Sequence, residues 1–136
     1  MKKLLGIVVL GLLLSGNAYA KELILVCENF KNISYDKNNE INEEEENIKF
    51  NELFKINTIE EKVYKFDKNY NKFYEQNNTK WNDVLISWRK DNENRTNINE
   101  INRLDLAYKN TIRYYKNPEL NKIEHYAKCK IEEQKL

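Results

Sequence analysis

From residue 22 onward the chain alternates short apolar or period-two runs with polar turns. ELILVCEN, residues 22–29, is a short apolar run of the kind that makes a buried strand. KNISYDKNNEINEEEEN, residues 31–47, is polar and acidic and predicts an exposed loop. IKFNELFKIN then puts Ile48, Phe50, Phe54 and Ile56 at even positions, with Glu52 interrupting the face. That spacing favours a strand over the short helical stripe of Phe50, Leu53 and Phe54. KVYKFD (62–67) and NKFYEQ (71–76) predict two more strands around a KNYN turn. WNDVLISW (81–88) carries Val84, Ile86 and Trp88 on one face, and DNENR turns the chain.

TNINEINR (96–103) is polar but β-branched. LAYKNTIRYY (106–115) holds Leu106, Tyr108, Ile112 and Tyr114 in phase, and KNPEL breaks the pattern at Pro118. KIEHYAKCKIE (122–132) puts Ile123, His125, Ala127, Cys129 and Ile131 on one face. Short strands with turn signals every 8–15 residues predict an all-β fold. The expected architecture is a single antiparallel meander forming a small barrel or sandwich.

The first twenty residues have a different pattern. A basic MKK start, the apolar run LLGIVVLGLLL and Ala18-Tyr19-Ala20 predict a cleaved secretory signal peptide. The apolar run is shorter than the roughly 20 residues of a spanning helix. Residues 21–136 would then form a single exported β-domain, periplasmic or secreted. Loss of Lys2 and Lys3 leaves 21 basic against 22 acidic residues, a charge of −1. So balanced a charge provides no nucleic-acid footprint. No second apolar stretch is long enough for a membrane span.

Export changes the meaning of two cysteines. Outside the cytosol an even number of cysteines points to a disulfide. Cys27 and Cys129 lie near the two ends of the domain, so their bond would join the first and last strands. Zinc requires three or four ligands, and the chain offers two cysteines and one histidine. His125 and Cys129 in one strand would be about 13 Å apart at ~3.3 Å per residue, too far for a catalytic pair. His125 therefore reads as an ordinary strand residue.

All three glycines (Gly6, Gly11, Gly16) fall in the leader. Their absence from the rest removes phosphate loops and dinucleotide fingerprints. It also passes the tight turns to Asn and Asp, which tolerate positive φ. The abundance of asparagine reads as compositional bias, and no asparagine is singled out as a site.

The order WNDVLISW, INRLDLAYKNTI and a final strand with a second cysteine resembles a broad group of small exported bacterial β-proteins. These share a signal peptide, a cysteine in the first and last strands and an I-[DN]-R strand–turn motif. Here Leu104-Asp105-Leu106 stands where that pattern often has a T-G pair. The resemblance implies export, β-architecture and the cysteine pair, and no activity. Within INR, Ile101 is expected in the core and Arg103 bracing the turn through Asp105 or another carboxylate.

No G-x-S-x-G elbow or H-E-x-x-H helix occurs, and only Ser34 and Ser87 follow the leader. An enzyme is not expected, nor a cofactor or metal. Aromatic residues are plentiful, and Trp81, Trp88, Tyr114, Tyr115 and Tyr126, with Arg103, are the candidate binding residues. The expectation is a non-enzymatic binding module for an envelope or foreign macromolecule. The alternative is a carrier holding a small apolar ligand in an aromatic-lined cavity.

Overall fold

The computed structural model describes residues 22–132; the leader assigned to residues 1–20 lies outside them. It is all-β. Nine strands run in chain order: β1 Glu22–Asp36, β2 Ile41–Asn57, β3 Lys62–Asp67, β4 Lys72–Glu75, β5 Lys80–Trp81, β6 Leu85–Asp91, β7 Arg95–Asn102, β8 Ala107–Tyr114 and β9 Leu120–Glu132. Every pairing is antiparallel, and the sheet order is β4-β3-β2-β1-β9-β8-β7-β6-β5. The sheet curls into a half-barrel rather than a closed barrel or a two-sheet sandwich. Among the described residues no helix is long and apolar enough to cross a membrane.

The first and last strands are central neighbours, as expected. Cys27 lies directly opposite Cys129, and the two form a disulfide. The expected loop at 31–47 is instead the tip of a long β1–β2 hairpin. Lys31 pairs with Glu46, Ile33 with Glu44 and Ser34 with Glu43. Its polar character is that of a ladder only partly covered, not of an irregular segment. Val84 falls in the turn before β6 and is exposed, whereas Ile86 and Trp88 are buried as their phase required.

Asparagine and aspartate do the work glycine would do in the turns. The side-chain oxygens of Asp36, Asn57, Asp67, Asn82, Asn92 and Asn102 each accept a backbone N–H two residues on, or two and three on. Such Asx turns satisfy amides that the ladder has released. Asn39, Asn71 and Asn78 take the left-handed φ themselves, joined by Glu61 and Leu106.

The concave face carries the core. Leu25, Phe54, Ile56, Val63, Ile86 and Ile101 are fully buried there. Phe54 on β2 meets the rings of Trp88 on β6 (5.5 Å) and Tyr108 on β8 (5.0 Å). Those contacts, made across several intervening strands, show how strongly the sheet curls. Edge-on and tilted aromatic pairs of this kind add about 0.5–1.5 kcal/mol beyond area burial.

Candidate functional site

Along the concave face the apolar filling stops abruptly. One cross-strand row reads Ile86, Ile101, Tyr108, Ala127, Asn29; the next reads Trp88, Asn99, Asn110, His125, Asn32. Four adjacent strands thus present Asn99, Asn110, His125 and Asn32 side by side. Above Asn110, His125 and Asn32 lies a cleft of about 500 Å³, with Asn99 buried beside it. Asn97, Asn99's neighbour at period two, and exposed Arg95 form one wall; Glu52 and Lys65 form the other. Tyr108, Ile112 and Ala127 contribute apolar surface. A smaller hollow of about 180 Å³ continues past His125 to Ser34, Glu43 and Glu45.

A β-bulge sets this arrangement. The β1 register slips between Asn29 and Lys31 against both neighbours, and against β9 it leaves Phe30 as the extra residue. Without it, residues 29 and 31 would share a face. With it, Asn32 replaces Lys31 on the concave side and comes opposite His125. Lys31 is sent to the other face, where it pairs with Glu44 at 2.8 Å. Re-aiming a side chain is a common use of a bulge.

The amides are tied into two chains. Tyr108 donates its hydroxyl to Asn99 Oδ1 (2.6 Å), and Asn110 Nδ2 donates to the same oxygen (2.9 Å). Asn99 Nδ2 in turn donates to Asn97 Oδ1 (3.3 Å). Burial, aided by the Glu52 carboxylate, pushes the Tyr108 hydroxyl well above its ordinary range, so it stays protonated. In the second chain Asn29 Nδ2 donates to Asn32 Oδ1 (3.0 Å), which also contacts His125 Nδ1 (2.6 Å). An oxygen partner assigns the proton to Nδ1 and leaves Nε2 as an acceptor. Burial lowers the His125 pKa below 6.5; Glu52 opposes this and Lys65 reinforces it. The ring is therefore neutral at pH 7. Lys65 and Glu52 face each other at 3.4 Å.

Asn29, Asn99 and Asn110 are each at least nine-tenths buried. Burying an amide without full hydrogen bonding costs about 1–3 kcal/mol. Asn29 Oδ1 is buried with no hydrogen-bond partner.

The residues singled out from sequence lie elsewhere. Trp88 is core, stacked beside Tyr108 at 6.5 Å, and touches the site only as packing beneath it. Arg103 is buried over the Trp81 ring (5.6 Å) and donates Nη1 to the Asn82 carbonyl. It braces the turn as expected, but through a backbone carbonyl rather than a carboxylate. Tyr114 ends β8, and Tyr115 is exposed with its hydroxyl on Thr96 Oγ1. Tyr126 lies on the opposite face against Lys109, whose ammonium sits 5.5 Å from its ring. None of the six lines the cleft.

That opposite face holds its own polar cluster. Glu124, buried, accepts Lys109 Nζ at 2.8 Å. Its desolvation would raise the pKa, but hydrogen bonds from Lys109 and Tyr35 prevail and bring it down to about 2. The Tyr35 hydroxyl, bonded to Glu124, is pushed up to about 12.

Asn110 in the cleft and Asn99 beside it were visible in the sequence in one respect. Asn99 keeps phase with Ile101, and Asn110 with Tyr108 and Ile112. A polar residue in a core phase is more informative than a polar residue anywhere else. Among the described residues no group of three or more His, Cys, Asp or Glu could hold a metal ion. No protein-family model, curated protein or solved structure matches this chain.

Proposed function

We propose that this is an exported binding protein, not an enzyme, and that the concave cleft is its recognition site. The carrying observation is the row Asn110, His125 and Asn32, which lines the cleft where the apolar filling of the concave face stops, with Asn99 buried beside it. For stability alone, apolar side chains at buried positions would serve as well or better. The volume of about 500 Å³ is that of a small-ligand site. The polar lining supports a hydrogen-bonding ligand over an apolar one. A binding role accords with the chemistry present: the single histidine is fixed by Asn32, and no nucleophile stands within the amide row. The disulfide supports an oxidising, exported setting.

A macromolecular partner is the second reading, favoured by the β3–β4 hairpin. Tyr70 and Tyr74 are exposed there, with Lys72 over the Tyr74 ring at 5.6 Å. Exposed tyrosines of this kind are common at interfaces.

The test is a thermal-shift titration with fractionated envelope extract. A low-molecular-mass fraction should raise the melting temperature of the wild type and leave that of Ile112→Trp, with its cleft filled, unchanged. Equal shifts in both proteins, or none in either, would count against the cleft.

A further inference from the structure

We infer that the ligand of the cleft is a neutral saccharide, an assignment that rests on the cleft being the binding site. Each asparagine amide offers a donor and an acceptor a short distance apart. A sugar hydroxyl also donates and accepts at one atom, so it can meet the amide atoms that the two chains leave over, Asn110 Oδ1, Asn32 Nδ2 and Asn97 Nδ2. Asn97, Asn110 and Asn32 line the cleft from β7, β8 and β1, with His125 Nε2 on β9 as a further acceptor between the last two. Asn29 Oδ1, buried and without a partner at the apolar edge of the cleft, calls for one more donor. Ile112, half-buried at the cleft, supplies the apolar surface that the C–H side of a sugar ring would cover.

Other ligand classes fit less well. A carboxylate or phosphate is held by clustered cations or bidentate arginines. Here Lys65 is paired with Glu52 and Arg95 stands exposed at the rim. A nucleobase requires a free aromatic face for stacking. The Tyr108 ring is only 4% exposed, packed against Phe54 and Trp88. An extended peptide adds to an open sheet edge. The edges of this sheet are β4 and β5, whereas the amides stand on the central strands. The bulge at Phe30 then acquires a role, since it turns an amide rather than an ammonium towards the sugar.

The test uses the oxidised protein on an array of neutral and acidic glycans. Proton–nitrogen NMR spectra follow, titrated with the best-retained glycan, with triglycine and with inorganic sulfate. Retention of a neutral glycan is expected, with movement of the side-chain amide signals of Asn32, Asn97 and Asn110. Asn110→Val should keep the native backbone spectrum and weaken binding at least tenfold. Asn97→Ala, at a less buried position, provides the same comparison should Asn110→Val not fold. No retained neutral glycan, or unchanged affinity in the variants, would overturn the assignment. If triglycine, sulfate or an acidic glycan alone moves those amides, the cleft stands as a site and the saccharide falls. If no probe moves them and envelope extract leaves the melting temperature unchanged, both fall together.

Discussion

Removing the Cys27–Cys129 bond should destabilise the protein through its unfolded state. The two cysteines sit opposite each other on the central strands, 102 residues apart in sequence. In the chain-entropy model a cross-link over that separation is worth about 4.7 kcal/mol. The folded strands do not depend on the bond to stay in register, because Val26↔Lys130 and Glu28↔Lys128 flank it in the ladder. About 110 ordered residues at ~2.1 cal/mol/K each give an unfolding entropy near 0.23 kcal/mol/K, so the expected fall in melting temperature is ~20 °C. Alanine is the appropriate replacement, since Cys27 is wholly buried and serine would add an unsatisfied hydroxyl. Calorimetry of the wild type with and without reductant, and of Cys27→Ala/Cys129→Ala, checks the figure. Urea titration should show a steeper m-value for the uncross-linked protein, whose unfolded chain exposes more surface. A fall below about 5 °C, with m unchanged, would refute unfolded-state entropy as the origin of the stabilisation.

Glu124→Gln should cost stability at neutral pH and little in strong acid. The carboxyl drops from 4.5 unfolded to about 2 folded, 2.5 units, or at most ~3 kcal/mol. Screening through half-exposed Lys109 reduces that figure. This stabilisation is complete above 4.5 and disappears as pH falls towards 2, so melting curves of the two proteins should converge across that window. His125 acts over a higher window. Its folded pKa lies below 6.5, so the unfolded chain takes up the proton first and stability declines as pH falls from about 6.5. His125→Gln should flatten that decline in a melting-temperature profile, and an unchanged slope would contradict a neutral buried ring. Glu61 holds a φ of 54° at an exposed turn position. Glu61→Gly should therefore raise stability by up to ~1 kcal/mol, read as a small upward shift of the urea midpoint.

The strands were legible because their faces alternate. KVYKFD is β3 to the residue, and the phases of Ile86, Trp88, Ile101 and Tyr108 gave their burial. The cysteine pair was legible from the expectation of export and from the even number. The β1–β2 tip was not, because Glu43–Glu46 and Lys31 carry loop-like composition while their backbones remain paired. The cleft escaped for two reasons. A bulge shifts phase without any compositional mark, so nothing in NFKNIS placed Asn32 with Asn29. Asn97, Asn99 and Asn110 were hidden among many asparagines: core phase alone marks Asn99 and Asn110, and only pairing across β7, β8 and β9 brings them together with His125.

The sheet order has a consequence for how the chain could be rewired. Strands β1 to β4 and β5 to β9 are each consecutive neighbours, and the two blocks meet only where β1 lies beside β9. The ends of the described chain are adjacent there, with Ile24 opposite Glu132. A circular permutant that joins these ends by a short linker and opens between Asn77 and Asn78 would run through all nine strands in spatial order. Every strand pairing would then be local in sequence, which lowers the contact order of the ladder and speeds folding. The disulfide would span only the new linker and its flanks, so most of its loop-closure effect would vanish while the cleft residues kept their places.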